Sequence, residues 1–237
     1  MTDRRAEVAA NLAAVRARIA TACAAAGRDP AQICLVAVTK TFPVSDVMLL
    51  IELGVIDIGE NRDSEAAPKA AACAAAGLSP RWHFVGQLQS RKAASVARYA
   101  DMVHSVDRVR LAAELGRRAS AVGRVISCLV QVSLDDPGRA VGRGGAAPGQ
   151  VLEVASAVAA QDSLRLAGVM GIAPLGGPAR PAYALLREMA ETVRAAYPGA
   201  QVMSAGMSDD MGDAIAEGAT HVRIGTALLG GRRAFVR

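Results

Sequence analysis

The sequence predicts a single (β/α)8 barrel preceded by one extra helix. Three observations carry that reading. Apolar strands and helices alternate eight times along the chain with few breaks. The strands are continuous apolar runs, the signature of parallel strands covered on both faces. The length, 237 residues, suits one barrel domain, and eight units favour a closed barrel over an open doubly wound sheet. One domain is therefore expected over 1–237, with 1–28 as the leading helix and 231–237 as a tail.

The elements follow in order. Val8, Leu12, Val15, Ile19 and Cys23 recur at helical spacing and define one apolar face, which stops at Gly27 and Pro30. Strand "ICLVAVT" (33–39) precedes helix "VSDVMLLIELG" (44–54), and strand "VIDIGEN" (55–61) precedes the alanine-rich helix "SEAAPKAAACAAAG" (64–77). Proline has no amide hydrogen to donate, so Pro68 is expected near the first turn of that helix. Strand "RWHFVG" (81–86), helix "SRKAASVARYA" (90–100), strand "MVHSVD" (102–107), helix "RVRLAAELGRRASA" (108–121) and strand "VISCLVQVSL" (125–134) continue the pattern. The stretch "DDPGRAVGRGGAAPG" (135–149) is dense in Gly and Pro and reads as a long mobile loop. Helix 150–161, strand 164–173, a second Gly/Pro loop (174–181) and helix 182–197 come next. Strand 200–206, the short helix 209–219 and strand 221–230 complete the eight units.

Composition narrows the function classes. No run of eighteen apolar residues is present, so no membrane span is expected. The N-terminus carries dispersed charges and no apolar signal core, which gives a cytoplasmic expectation. Net charge is +5 and scattered, and only 3% of residues are aromatic, leaving few platforms for stacking bases; nucleic acid is not an expected partner. The four cysteines show no C-x-x-C spacing and read as small buried side chains, not as a disulfide frame or zinc site.

The basic residues are informative. The chain has three lysines against 24 arginines, and Lys40 stands at the end of an apolar strand. Arginine is permanently charged, whereas a partly buried lysine can release its proton and act as a nucleophile. Lys69 and Lys92 fall on helices and are expected on solvated faces. In a barrel, residues at the C-terminal strand ends face the mouth: Lys40, Glu60, Asn61, His83, Gly86, His104, Asp107, Ser204 to Ser208, and Arg223 to Thr226. "SAGMSDD" (204–210) joins a strand to a helix with Ser208 placed as a helix cap, and "RIGTALLG" (223–230) puts Gly225 and Thr226 directly after the last strand. Either segment alone is explained by capping or close packing. Both together, opposite a lysine, point to a phosphorylated ligand. Two chemistries fit: a Schiff base with pyridoxal phosphate, or an aldolase-type Schiff base with a sugar phosphate.

"AVTK" (37–40), "GEN" (59–61), "WHFVGQLQSRK" (82–92), "SAGMSDD" and "VRIGTALLG", in this order, resemble the pyridoxal-phosphate homeostasis protein family (YggS/PROSC-like), whose barrel is like the N-terminal domain of alanine racemase. The resemblance spans about residues 30–231. It implies that pyridoxal 5'-phosphate (PLP) is the cofactor and that Lys40 bonds to it. It further implies that Ser204, Ser208, Gly225 and Thr226 hold the phosphate, that Arg223 lies near the pyridine nitrogen, and that Asn61 lies beside the ring. After "GEN" the family's aromatic-Gln-Glu is replaced by Arg62-Asp63-Ser64-Glu65, which retains Glu65 and lacks the glutamine.

The resemblance implies a carrier more than a catalyst. Alanine racemases use a lysine on one face of the substrate and a second-domain tyrosine on the other. This chain ends just after its eighth strand, and Tyr99, Tyr183 and Tyr197 fall on helices, directed away from the mouth. The expected function is to buffer or deliver PLP with little or no turnover and no catalytic residue as such. The alternative is a weak PLP-dependent amino-acid racemase or other PLP enzyme, and a third class is a barrel aldolase without PLP. Implied partners are PLP and PLP-dependent apo-enzymes, and the open mouth suggests a monomer or a loose dimer.

Overall fold

The computed structural model describes residues 4–135 and 144–231. The chain order is α1 (Arg4–Ala25), β1 (Cys34–Val38), α2 (Val44–Glu52), β2 (Asp57–Glu60), α3 (Asp63–Ala75), β3 (Arg81–Phe84), α4 (Ala93–Tyr99), β4 (Met102–Val106) and α5 (Val109–Ala121). It continues through β5 (Ile126–Gln131), α6 (Val151–Ala159), β6 (Leu164–Met170), α7 (Ala179–Ala196), β7 (Val202–Ser204), α8 (Met211–Ala216), β8 (His221–Ile224) and α9 (Thr226–Leu229). The eight strands are parallel and paired in sequence order, and β1 closes on β8 through Cys34↔His221 to Ala37↔Ile224. The architecture is the (β/α)8 barrel that the alternation predicts.

Val8, Leu12, Val15, Ile19 and Cys23 are the buried residues of α1. They pack with Val47, Leu50, Met211, Ile215 and Leu228, so the extra helix lies on the outside of the barrel across the seam where chain start meets chain end. Asn11 Nδ2 and Arg4 Nη2 reinforce that seam by donating to the carbonyls of Leu228 and Leu229 at 3.0 and 3.1 Å. At 22 residues α1 is long and apolar enough to cross a membrane by composition, yet its apolar stripe is used against the barrel.

The main core lies between the sheet and its helices. Side chains such as Leu111, Leu115, Ile126, Val130, Leu186 and Met203 are fully or almost fully buried there, each contributing roughly 1.5–3 kcal/mol. A register shift between Cys128 and Leu129 opens the β5–β6 ladder opposite Gly168. Only glycine fits at that position: φ is +149°, and an added Cβ would stand 1.9 Å from the Val202 carbonyl oxygen.

One sequence expectation changes, and two others fall partly outside the described residues. Pro68 lies inside α3, five residues past its start, because the helix begins at Asp63. The amide hydrogen that Pro68 lacks would have bonded Ser64, one turn back, and Pro68 and Ser64 are both exposed, so water can serve the freed carbonyl. Of the Gly/Pro-rich stretch 135–149, residues 136–143 lie outside the described residues, as do 232–237 of the tail. Ala146, within that stretch, is buried and forms a parallel bridge to Val132.

Candidate functional site

Lys40 follows β1 and is held through its neighbours. The Thr39 hydroxyl donates to Glu60 Oε1 at 2.6 Å, and the Thr39 carbonyl accepts from Lys69 Nζ at 2.8 Å. Lys69 Nζ also donates to Glu60 Oε1 at 2.5 Å. On the other side Thr41 has φ +68°, a left-handed conformation costly for a β-branched residue. Glu65 Oε2 accepts its amide at 2.7 Å and helps to hold it there. Lys40 itself has no hydrogen-bond partner among the described residues. Its neighbours are pinned and its amine is left unengaged.

This arrangement corrects the placement of Lys69. Lys69 is 7% exposed, because Ala66, Lys69, Ala70 and Cys73 form the inward stripe of α3. Burial raises the Glu60 pKa and outweighs the opposing hydrogen bonds from Lys69 and Thr39. The i, i+3, i+4, i+7 pattern was present in the sequence, but alanine surrounds it so uniformly that the stripe had no contrast. Lys92 is half-exposed and pairs with Asp63 at 3.3 Å.

A cavity of about 450 Å³ opens at the C-terminal ends of the strands. Lys40, Asn61, Ser208, Arg223, Gly225 and Thr226 all line it, with Phe42, Val85, Ile172 and Met207 as apolar wall and Asp209 as an acidic group. Asn61 Oδ1 is buried there without a partner. Gly225 lets the β8 end approach β1: a Cβ would lie 3.1 Å from the Val38 carbonyl oxygen.

Ser204 is placed differently from the other named residues. It is fully buried and does not line the cavity. Its hydroxyl accepts from Arg223 Nη1 at 2.7 Å and meets His104 Nδ1 at 3.0 Å, so it stands behind the arginine. His83 and His104 are 3% and 0% exposed and lie within the barrel, beneath the mouth. Asp107 pairs with Arg108 outside the cavity lining.

Ser208 is not the cap of α8, which starts at Met211. Asp210 organises the preceding turn: its carboxylate accepts the Met207 amide at 2.5 Å and the Tyr183 hydroxyl at 2.8 Å. Tyr183 is thus fully buried under this turn, with its hydroxyl pKa raised by burial. Tyr99 packs edge-on against Trp82. None of the three tyrosines lines the cavity. The helices after β7 and β8 have only six and four residues, so their dipoles are small. Among the described residues, Lys40 and Arg223 are the two basic side chains in the lining.

Arg223 is 5% exposed, and its Nη2 donates to the Gly171 carbonyl at 2.9 Å. Burial lowers its pKa, opposed by Tyr183 and Asp210, but a guanidinium remains charged at any ordinary pH. A second cavity of about 660 Å³ lies at the other end of the strands, lined by Arg16, Cys34, Asp57, Arg81, Thr220 and His221 among others. Burial pushes the Cys34 thiol up to about 12, so that cavity holds no thiolate at neutral pH.

The structure defines a (β/α)8 barrel with a lysine and an arginine lining one cavity at its mouth, beside the ends of its last two strands. The family described as alanine racemase, N-terminal domain, matches residues 10–233. A relative from Mycobacterium tuberculosis named pyridoxal phosphate homeostasis protein is 42% identical over 245 residues, covering 98% of this chain and 95% of the relative. One of the same name from Escherichia coli is 37% identical over 230 residues, covering 95% and 97%. PipY of Synechococcus elongatus, solved with PLP bound, is 31% identical with a TM-score of 0.80, covering 94% of this chain and 100% of that one. The chain belongs to the pyridoxal phosphate homeostasis family of alanine-racemase-like barrels.

Proposed function

We propose that this protein binds PLP at Lys40 and buffers or hands on the cofactor with little or no turnover. The observation that carries the reading is the pairing of an unengaged Lys40 amine with the Arg223 guanidinium in one cavity that no tyrosine lines. When bound, the cofactor supplies an aldehyde to which a lysine amine can be joined covalently. Ser208, Gly225 and Thr226 would hold the phosphate at the ends of β7 and β8. Asn61, with its unpartnered Oδ1, offers a hydrogen-bond acceptor beside the ring.

Arg223 sets the chemistry. A guanidinium donates hydrogen bonds and accepts no proton, so it does not support a protonated ring nitrogen, the state that draws electrons most strongly. Lys40 can serve one face of a bound amino acid, and the opposite face lacks a tyrosine to complete a two-base exchange. PLP in PipY supports the cofactor assignment, and the name shared by the curated relatives supports homeostasis. The reading extends to a cytoplasmic protein, monomeric or loosely dimeric, that hands PLP to apo-enzymes.

The test is optical. Protein incubated with PLP should turn yellow, lose the band on borohydride reduction, and show none in Lys40→Ala. A wild type that stays colourless sinks the cofactor assignment. Solvent deuterium entering the α-carbon of amino acids with turnover would favour the racemase-like alternative.

A further inference from the structure

Barrel interiors are ordinarily filled by branched apolar side chains. Here Leu129, Ala167 and Met170 form a small apolar cluster, while a line of polar groups spans the barrel. From Arg223 Nη1 it passes to Ser204 Oγ at 2.7 Å, and from Ser204 to His104 Nδ1 at 3.0 Å. His104 Nε2 meets His83 Nδ1 at 2.9 Å, and His83 Nε2 meets Asp57 Oδ1 at 2.9 Å. Asp57 Oδ2 accepts from Arg81 at 2.7 Å. β4 and β7 are not neighbours in the barrel, so the His104–Ser204 bond crosses its interior. The line runs from the mouth cavity to the opposite one, where Asp57 and Arg81 lie.

With both imidazoles neutral, the Asp57 end fixes the direction of every link. Arg223 can only donate, so Ser204 Oγ accepts from it with one lone pair and has its single hydrogen to give to His104 Nδ1. That nitrogen is then bare, and the His104 proton sits on Nε2, donating to His83 Nδ1. The His83 proton must therefore also sit on Nε2, where it donates to Asp57. The Asp57 end is what selects this arrangement. Asp57 is ionised and can only accept: burial opposes this, but bonds from His83 and Arg81 hold its pKa at about 2. A line of neutral rings that ends on a pure acceptor has one consistent set of protons, and each bond polarises the next.

Arg223 has no ion-pairing carboxylate among the described residues. We propose that Asp57, His83 and His104 are positioning residues for the cofactor pocket, acting through Ser204 to orient the Arg223 guanidinium and to link its charge to the Asp57 carboxylate across the barrel. The proposal rests on the reading of the mouth cavity as a PLP site. Gly171 and Ser204 occupy two of the guanidinium's donors and fix its plane, leaving its remaining edge for the ligand.

The chain has only three histidines, so long-range proton–nitrogen NMR of the ligand-free protein can resolve each ring. The expected result is a protonated Nε2 and a bare Nδ1 on both His83 and His104; an Nδ1–H form of either overturns the proposal. In His83→Phe, PLP affinity should fall roughly tenfold, the scale of one weakened bond to a charged group. His83→Gln, which keeps one acceptor and one donor, should restore most of it. His221→Gln should bind as wild type: the ring lies 6.2 Å from His83 but bonds Thr220 and is outside the chain. Equal affinity in wild type and a folded His83→Phe overturns the proposal. A wild type that binds no PLP sinks the cofactor reading, and the ligand-free tautomers then decide the proton arrangement independently.

Discussion

Replacing Lys69 by methionine tests the buried support behind Lys40. The side chain keeps its length and loses its charge. Its amine contacts Glu60 Oε1 at 2.5 Å and the Thr39 carbonyl at 2.8 Å, with the two ionised side chains only 9% and 1% exposed. Glu60 Oε2 is already buried without a partner, so the variant leaves a carboxylate with little compensation. Breaking a buried pair from one side costs about 3–5 kcal/mol, a large share of the roughly 5–15 kcal/mol that holds a domain folded. For a chain of this size that corresponds to a melting point lower by about 6–20 °C. A solvated helix lysine would change stability by less than about 0.5 kcal/mol. Thermal and urea unfolding separate these cases. The double variant Lys69→Met/Glu60→Gln should recover at least half of the loss, because it removes the stranded charge. The deficit of the single variant should also narrow on acidification, where Glu60 can be buried protonated. A single variant within about 1 kcal/mol of wild type, or a double variant no better than the single, would refute the reasoning.

Acid should destabilise the fold in a window set by the interior histidines. Burial, with the neighbouring His83 next, pushes the His104 pKa well below its ordinary value and that of His221 to about 4. The unfolded chain takes up protons near pH 6.5 and the folded one does not, so stability falls by up to about 1.4 kcal/mol per pH unit for each residue. For His221 the loss runs from about pH 6.5 down to about 4; a flat urea midpoint across that range would contradict the assignment. Gly168→Ala should cost about 2–4 kcal/mol in urea unfolding, since its Cβ meets a backbone oxygen that cannot yield. Thr41→Gly should stabilise by about 0.5–1 kcal/mol by relieving the φ of +68°. A loss of stability there would mean that the Thr41 side chain, and not only the Glu65 bond, holds the turn.

The sequence by itself determined the eight strands, their parallel order, and the end of the barrel at which Lys40, Asn61, Ser208, Arg223, Gly225 and Thr226 gather. These are consequences of local pattern: continuous apolar runs set strands, and a residue that follows a strand in a barrel has only one mouth to face. Glu65, retained where its family carries it, was visible without its purpose. Only the tertiary structure showed that it accepts the strained Thr41 amide. The same is true of Lys69, Ser204, His83, His104 and Asp57. Each makes its decisive bond to a residue 9 to 100 positions away. Which hydroxyl faces the cavity and which stands behind an arginine depends on barrel closure. Closure brings β4 and β7 side chains within hydrogen-bond distance across an interior that no local periodicity describes.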